Sequence, residues 1–77
     1  MRVSVILHSF LRDLLPPEAK GQVVLDLPEG ARVQDVVDRL KLPAYAMFAL
    51  NERMEKDRSL PLKDGDALRF LRAGAGG

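Results

Sequence analysis

Between Arg2 and His8 hydrophobic and polar positions alternate, with Val3, Val5 and Leu7 on one side of an extended backbone and Arg2, Ser4, Ile6 and His8 on the other. A period of two in a run rich in β-branched residues predicts a first strand. The next stretch, SFLRDLLPPEAKG, groups Phe10, Leu11, Leu14 and Leu15 as one helical turn. Pro16 and Pro17 forbid its continuation, because proline lacks the amide and clashes with the preceding turn. Gly21 closes the connection. Alternation returns over Gln22 to Leu27, placing Val23, Leu25 and Leu27 inward and Gln22, Val24 and Asp26 outward, and Pro28-Glu29-Gly30 ends it with turn chemistry. The two strands are expected to form an antiparallel pair.

The period then changes. Val33, Val36, Val37 and Leu40 stand at helical spacing while Gln34, Asp35, Asp38 and Arg39 face away, which predicts an amphipathic helix. Its local cap is poor, since Arg32 sits where a short oxygen-bearing side chain would accept from the free amides; Asp35 in the first turn compensates in part through the helix dipole. Pro43 is expected to stop the helix. Ala46 to Leu50 follows as a third strand with Phe48 and Leu50 inward, and Asn51-Glu52-Arg53 turns the chain. Met54 to Lys63 mixes charges with Leu60, Pro61 and Leu62, which suits an irregular crossing with room for one short edge strand. Asp64-Gly65 is a tight turn before the last strand, Ala67 to Leu71, with Leu68 and Phe70 inward and Arg69 and Leu71 outward. These elements predict an α+β roll: a mixed sheet of four to five strands with one helix across one face. The predicted core sets Val33, Val36, Val37 and Leu40 against Val3, Val5, Leu25 and Phe70.

Past Arg72 the chain reads Ala73, Gly74, Ala75, Gly76 and Gly77, with no side chain larger than a methyl. This divides it into a folded domain, residues 1–72, and a tail, 73–77, expected to be flexible because it has nothing to bury. The tail is either a frayed end or a thin strand that carries the Gly77 carboxylate through a narrow channel into another protein's active site. In that second case Ala75 and Gly76 are the channel residues, since a branched side chain there would block passage.

Composition narrows the chemistry. Cysteine is absent, which excludes disulfides, thiolate metal ligands and a persulfide on this chain. Acidic and basic residues nearly balance, net +1, and are interspersed, so neither nucleic acid nor an anionic membrane is expected as a partner. The apolar run Val3 to Leu7 is too short for a signal-peptide core or a membrane span, and a cytoplasmic location is expected. His8 is the lone histidine, outward at a strand end, and reads as a solvated side chain rather than a base. Asp64 and Asp66 flank Gly65 as turn residues and make no metal cage. The terminal glycines have no helix behind them and no lysine among them, so they are no phosphate cradle. Arg69 and Arg72, with Leu71 and Val24, are expected on the outer sheet face near the tail, where positive charge and exposed apolar area would suit an acidic partner.

A ubiquitin-like pattern ending in Gly-Gly, with LKDGDALRF before it, resembles the MoaD/ThiS sulfur carriers over essentially the whole chain. Leu11-Arg12-Asp13 is similar to the MoaD branch, the molybdopterin synthase small subunits. Pro28-Glu29-Gly30-Ala31, Leu50-Asn51, Leu62 to Asp66 and Ala75-Gly76-Gly77 fall where the family has them. His8 stands where such chains often carry phenylalanine, Arg32 where they often carry a threonine cap, and Glu52 where glycine commonly follows the asparagine. The resemblance implies a β-grasp fold. It also implies that a MoeB/ThiF-like enzyme adenylates the Gly77 carboxylate, after which a sulfur donor converts the adenylate to a thiocarboxylate. In the MoaD branch a MoaE-like large subunit then passes the sulfur to a pterin precursor of the molybdenum or tungsten cofactor. On this reading the chain is a carrier and small subunit, not an enzyme. It binds no cofactor of its own, ATP and magnesium belonging to the activating partner. Thiamine, tRNA or protein acceptors served by the same tail, and an interaction module whose tail is never activated, remain as alternatives.

Overall fold

The computed structural model describes residues 1–72. β1 (Arg2–Leu7) and β2 (Gln22–Asp26) pair antiparallel, setting Val3 opposite Leu25 and Val5 opposite Val23. The last strand, β5 (Ala67–Arg72), enters between β1 and β3 (Ala46–Leu50). It runs parallel to β1, with Leu7 beside Phe70, and antiparallel to β3, with Phe48 beside Phe70. β4 (Arg53–Glu55) closes the far edge, so the five-stranded order is β2-β1-β5-β3-β4. The expected α+β roll is present, at the upper end of the expected strand count.

Inward residues of this sheet share one buried cluster with the helix α1 (Val33–Leu40), whose bounds are those the periodicity predicts. Val33, Val36 and Val37 join Val3, Val5, Leu25, Phe48, Leu68 and Phe70 in a single buried cluster, with Leu40 half-buried against it. The Phe48 and Phe70 rings lie 6.0 Å apart and tilted, within the range aromatic pairs favour. Burial is worth about 1.5–3 kcal/mol per large apolar side chain, and no polar or charged side chain is buried among the described residues. In β3 Ala46, Phe48 and Ala49 are buried, and Leu50 is half-buried at the strand end.

The helix cap that the sequence lacks locally comes from far along the chain. The amides of Val33 and Gln34 donate to the carbonyls of Leu60 (3.1 Å) and Arg58 (2.8 Å), while Asp35 Oδ2 accepts from the Arg32 amide at 2.7 Å. Free amides at a helix start need such acceptors. The Arg32 guanidinium donates to the Ser59 carbonyl at 2.8 Å. The Asp57 carboxylate accepts from the Ser59 hydroxyl and, at 2.9 Å, from its amide; those two bonds hold its carboxyl below the usual carboxylate range. Arg58 in turn donates to the carbonyls of Ala44 (2.8 Å) and Ala46 (2.9 Å), tying the crossing to the start of β3. The irregular stretch is therefore a cap for α1 and a clasp for β3.

Three local expectations change. The segment after β1 is a 3-10 helix, Ser9–Leu14, followed by a shorter one, Pro17–Ala19; of its four apolar residues only Leu11 is fully buried, and Phe10 and Leu14 are exposed. Neighbouring Phe10 and Leu11 cannot share a face in so tight a coil. The β3–β4 turn needs only Asn51 and Glu52, both at positive φ (51° and 70°), which matches a two-residue hairpin and leaves Arg53 to the edge strand. The helix ends at Lys41, before Pro43 is reached. Lys41 adopts φ 56°, its amide donates to Asp38 and that of Leu42 to Val37, closing the last turn.

Val37→Asp is expected to abolish the cooperative melt, since an unpaired buried carboxylate costs several kcal/mol against a small total stability; a melting temperature within a few degrees of the parent would refute the packing of α1. Lys41→Gly is expected to raise the urea midpoint at unchanged m, by about 0.5–1 kcal/mol, because glycine adopts the left-handed conformation without a Cβ penalty. A lowered midpoint would mean that the Lys41 side chain contributes more than its backbone strain costs.

Candidate functional site

Because β5 is the central strand, the tail begins in the middle of one sheet end. Strand geometry sends alternate side chains to opposite faces. Leu68, Phe70 and Arg72 fall on the helix side, and Ala67, Arg69 and Leu71 on the open side. Arg69 lies beside Ile6 on β1 and Ala49 on β3, and Leu71 lies opposite the exposed Met47. Met54 pairs with Ala49 and is exposed as well. The open face at this end is thus a run of aliphatic and thioether surface crossed by one guanidinium.

Arg69 is held loosely. Its Nη2 lies 3.2 Å from Glu52 Oε1 and its Nη1 3.3 Å from His8 Nε2. A surface ion pair of this kind contributes about 0–1 kcal/mol, so the guanidinium can re-pair with a partner at small cost. His8 is half-buried against it and faces the same side, as the alternation predicts.

The expected partner-binding set separates into three places. Arg69 and Leu71 are neighbours on the open face. Val24 shares that face and is 56% exposed, but it pairs with Ser4, which lies beside Ala67 at the start of β5, away from the tail. Arg72 is not on the open face at all: it pairs with the buried Ala46, and its guanidinium carbon stands 5.4 Å from the centroid of the Phe10 ring. Residues 69 and 72 are three apart, an odd step, and an odd step in a strand changes face. The Gly77 carboxylate and the channel residues Ala75 and Gly76 lie outside the described residues.

The aspartates at the turn into β5 are occupied with backbone. Asp64 Oδ1 accepts from the Arg2 amide (2.7 Å), and Asp66 accepts from the Lys63 amide (2.8 Å) and from Asn51 Nδ2 (3.0 Å). Asn51 Oδ1 takes the Ala67 amide at 2.9 Å, fastening the end of β3 to the start of β5. Among the described residues no group of three or more histidine, cysteine or acidic side chains could hold a metal ion.

Sequence reading overlooked Met47 and Met54 as surface residues, and Phe10 and Tyr45 as a pair whose rings lie 6.2 Å apart. Parity carried part of the signal: with Phe48 inward, Met47 had to face out. The Phe10–Tyr45 meeting depends on the 3-10 helix after β1 reaching the loop before β3, which no local pattern encodes.

Among the described residues no helix is long and apolar enough to cross a membrane. In structure the chain is similar to a Pyrococcus furiosus protein assigned as subunit 1 of a molybdopterin converting factor (26% identity, TM-score 0.76, covering 94% of this chain and 97% of that one). It shares its fold with SAMP1 of Haloferax volcanii (18%, 0.76, all of both chains). The same holds for a chain from the complex of molybdopterin-converting factor subunits 1 and 2 of Helicobacter pylori (20%, 0.63, all of both chains). In sequence, 51 residues are 39% identical to part of the threonine–tRNA ligase of Chlamydia trachomatis; that match takes in 66% of this chain but spans only 8% of the ligase. The ThiS family model matches residues 11–77, from the first 3-10 helix through the glycine tail, and the chain, a ubiquitin-like β-grasp roll, belongs to the ThiS family.

Proposed function

We propose that this chain is a sulfur carrier whose Gly77 carboxylate is the reacting group. The observation that carries the reading is that the family match runs to Gly77, on a chain that has no cysteine and a single histidine. A carboxylate is a poor electrophile. Attack by its oxygen on the α-phosphorus of ATP, with loss of pyrophosphate, gives an acyl-adenylate whose AMP is a good leaving group. A donor's persulfide sulfur then displaces AMP at the acyl carbon, and a thiol reductant cleaves the sulfur–sulfur bond to free the thiocarboxylate. The activating partner, a MoeB/ThiF-like enzyme, brings ATP and magnesium; this chain brings the carboxylate on a tail that Ala75 and Gly76 keep narrow.

The acceptor we favour is a pterin precursor of molybdopterin, reached beside a MoaE-like large subunit. The resemblance to a protein assigned as a converting-factor subunit 1 supports this choice, as does the fold shared with a subunit found in complex with subunit 2. Partner contact falls to Arg69 and Leu71 with Met47 and Met54, and Val24 extends the same face at its far end. The ThiS model itself favours a second reading, the same chemistry with a thiamine-type acceptor. Which acceptor takes the sulfur decides between them.

With an activating enzyme, ATP, magnesium and a sulfur donor, intact chain is expected to gain the mass of an oxygen-to-sulfur exchange. Removing Gly77 should abolish the gain without moving the melting temperature, because the carboxylate then stops about 3.3–3.6 Å short of the attacking group. Persistence of the exchange in the shortened chain would sink the reading. Arg69→Glu is expected to slow association with an acidic partner surface about tenfold at low salt and less at high salt. Parental rates at both salt concentrations would leave Arg69 a solvated edge residue.

A further inference from the structure

Two aromatic side chains, one from the segment after β1 and one from the loop before β3, meet at the end of β5. Phe10 follows β1 directly, in the 3-10 helix that the His8 amide fastens to β5 through the Phe70 carbonyl at 3.0 Å. Tyr45 precedes β3, between Ala44 and Ala46, whose carbonyls are both held by Arg58. The two rings meet at 6.2 Å and 46°, and the Arg72 guanidinium lies over the Phe10 face at 5.4 Å. The segment after β1, the loop before β3 and the last residue of β5 thus each contribute one group to the same spot. The rings remain 44% and 51% exposed, so core burial does not account for their placement. Leu11, buried beneath, anchors the helix that carries Phe10.

We infer that Phe10, backed by Tyr45, is a positioning residue for the C-terminal segment: the pairing of β5 sets where the strand ends, and Phe10 holds the Arg72 guanidinium at that end. The inference rests on the carrier reading above. A partner receiving Gly77 then need not immobilise Arg72 as well, and that saving appears in binding rather than in chemistry. An exposed cation–ring contact corresponds to about a twofold to fivefold preference for the held state. Arg72 is accordingly an internal tether, whereas Arg69 on the opposite face stays available to a partner.

The test is a double-mutant cycle on Phe10→Ala and Arg72→Ala in the full chain, read as KM and kcat for adenylation by the activating enzyme. Residues that act through each other give non-additive effects. Each single variant should raise KM about twofold to fivefold at unchanged kcat, with the double variant no worse than either single one. Phe10→Tyr should restore the parental KM, and all variants should keep the parental melting temperature. In the free chain, nitrogen relaxation should show the Arg72 side chain moving faster once Phe10 is alanine. Additive KM effects would mean that the partner touches the two residues separately, and an unchanged KM or unchanged Arg72 motion equally overturns the assignment. A parent chain that accepts no AMP removes the carrier reading and this proposal together; a parent that is activated, with additive variants, removes this proposal alone.

Discussion

The structure depends on one pairing above the rest, the insertion of β5 between β1 and β3. The last strand in sequence is the middle strand in space, hydrogen-bonded on both edges, and its Leu68 and Phe70 are among the most deeply buried side chains. Without it β1–β2 and β3–β4 are two separate hairpins with no common face for α1. Hairpins of this size are marginal alone. The same pairing decides where the tail begins, because a central strand cannot fray sideways as an edge strand can. The stability of the sheet and the place where β5 ends therefore rest on the same hydrogen bonds.

A second long-range dependence supports the first. A parallel neighbour for β1 requires a long crossover, and the chain supplies it with α1, β3, β4 and the irregular stretch up to Lys63. That stretch has little regular structure, yet its carbonyls at Arg58 and Leu60 cap α1 and its Arg58 guanidinium clasps the carbonyls before and at the start of β3. Helix, crossing and third strand are thus fixed to one another by polar bonds around an apolar core.

What could be read in advance follows from the range of each interaction. Periodicity gave α1 its bounds and gave β1, β2, β3 and β5 their inward residues, because burial of Val3, Val36 or Phe70 leaves a mark within a few positions. The exchange of the missing helix cap for carbonyls some 25 residues away left none, and Arg32 looked simply wrong for its position. The turn at Asn51-Glu52 was placed one residue too long because Glu52 is an uncommon choice for positive φ. At the candidate site, Arg69 and Leu71 were placed correctly by alternation. Arg72 was misplaced by treating nearness in sequence as nearness on one face, and its ring partner belongs to a different segment.

The central claim is that β5, the last strand in sequence, is the centre of the fold and opens only when the whole of it does. Native-state amide hydrogen exchange along β5 tests it most directly, since exchange by local opening and by global unfolding separate in their dependence on denaturant. The account predicts that Leu68 and Phe70 exchange only through global unfolding, with the same free energy as Val5 in β1. Contradiction would be a β5 that opens locally at a fraction of the global free energy while β1 and β3 stay protected, because the last strand would then be an attachment to the fold and not its centre.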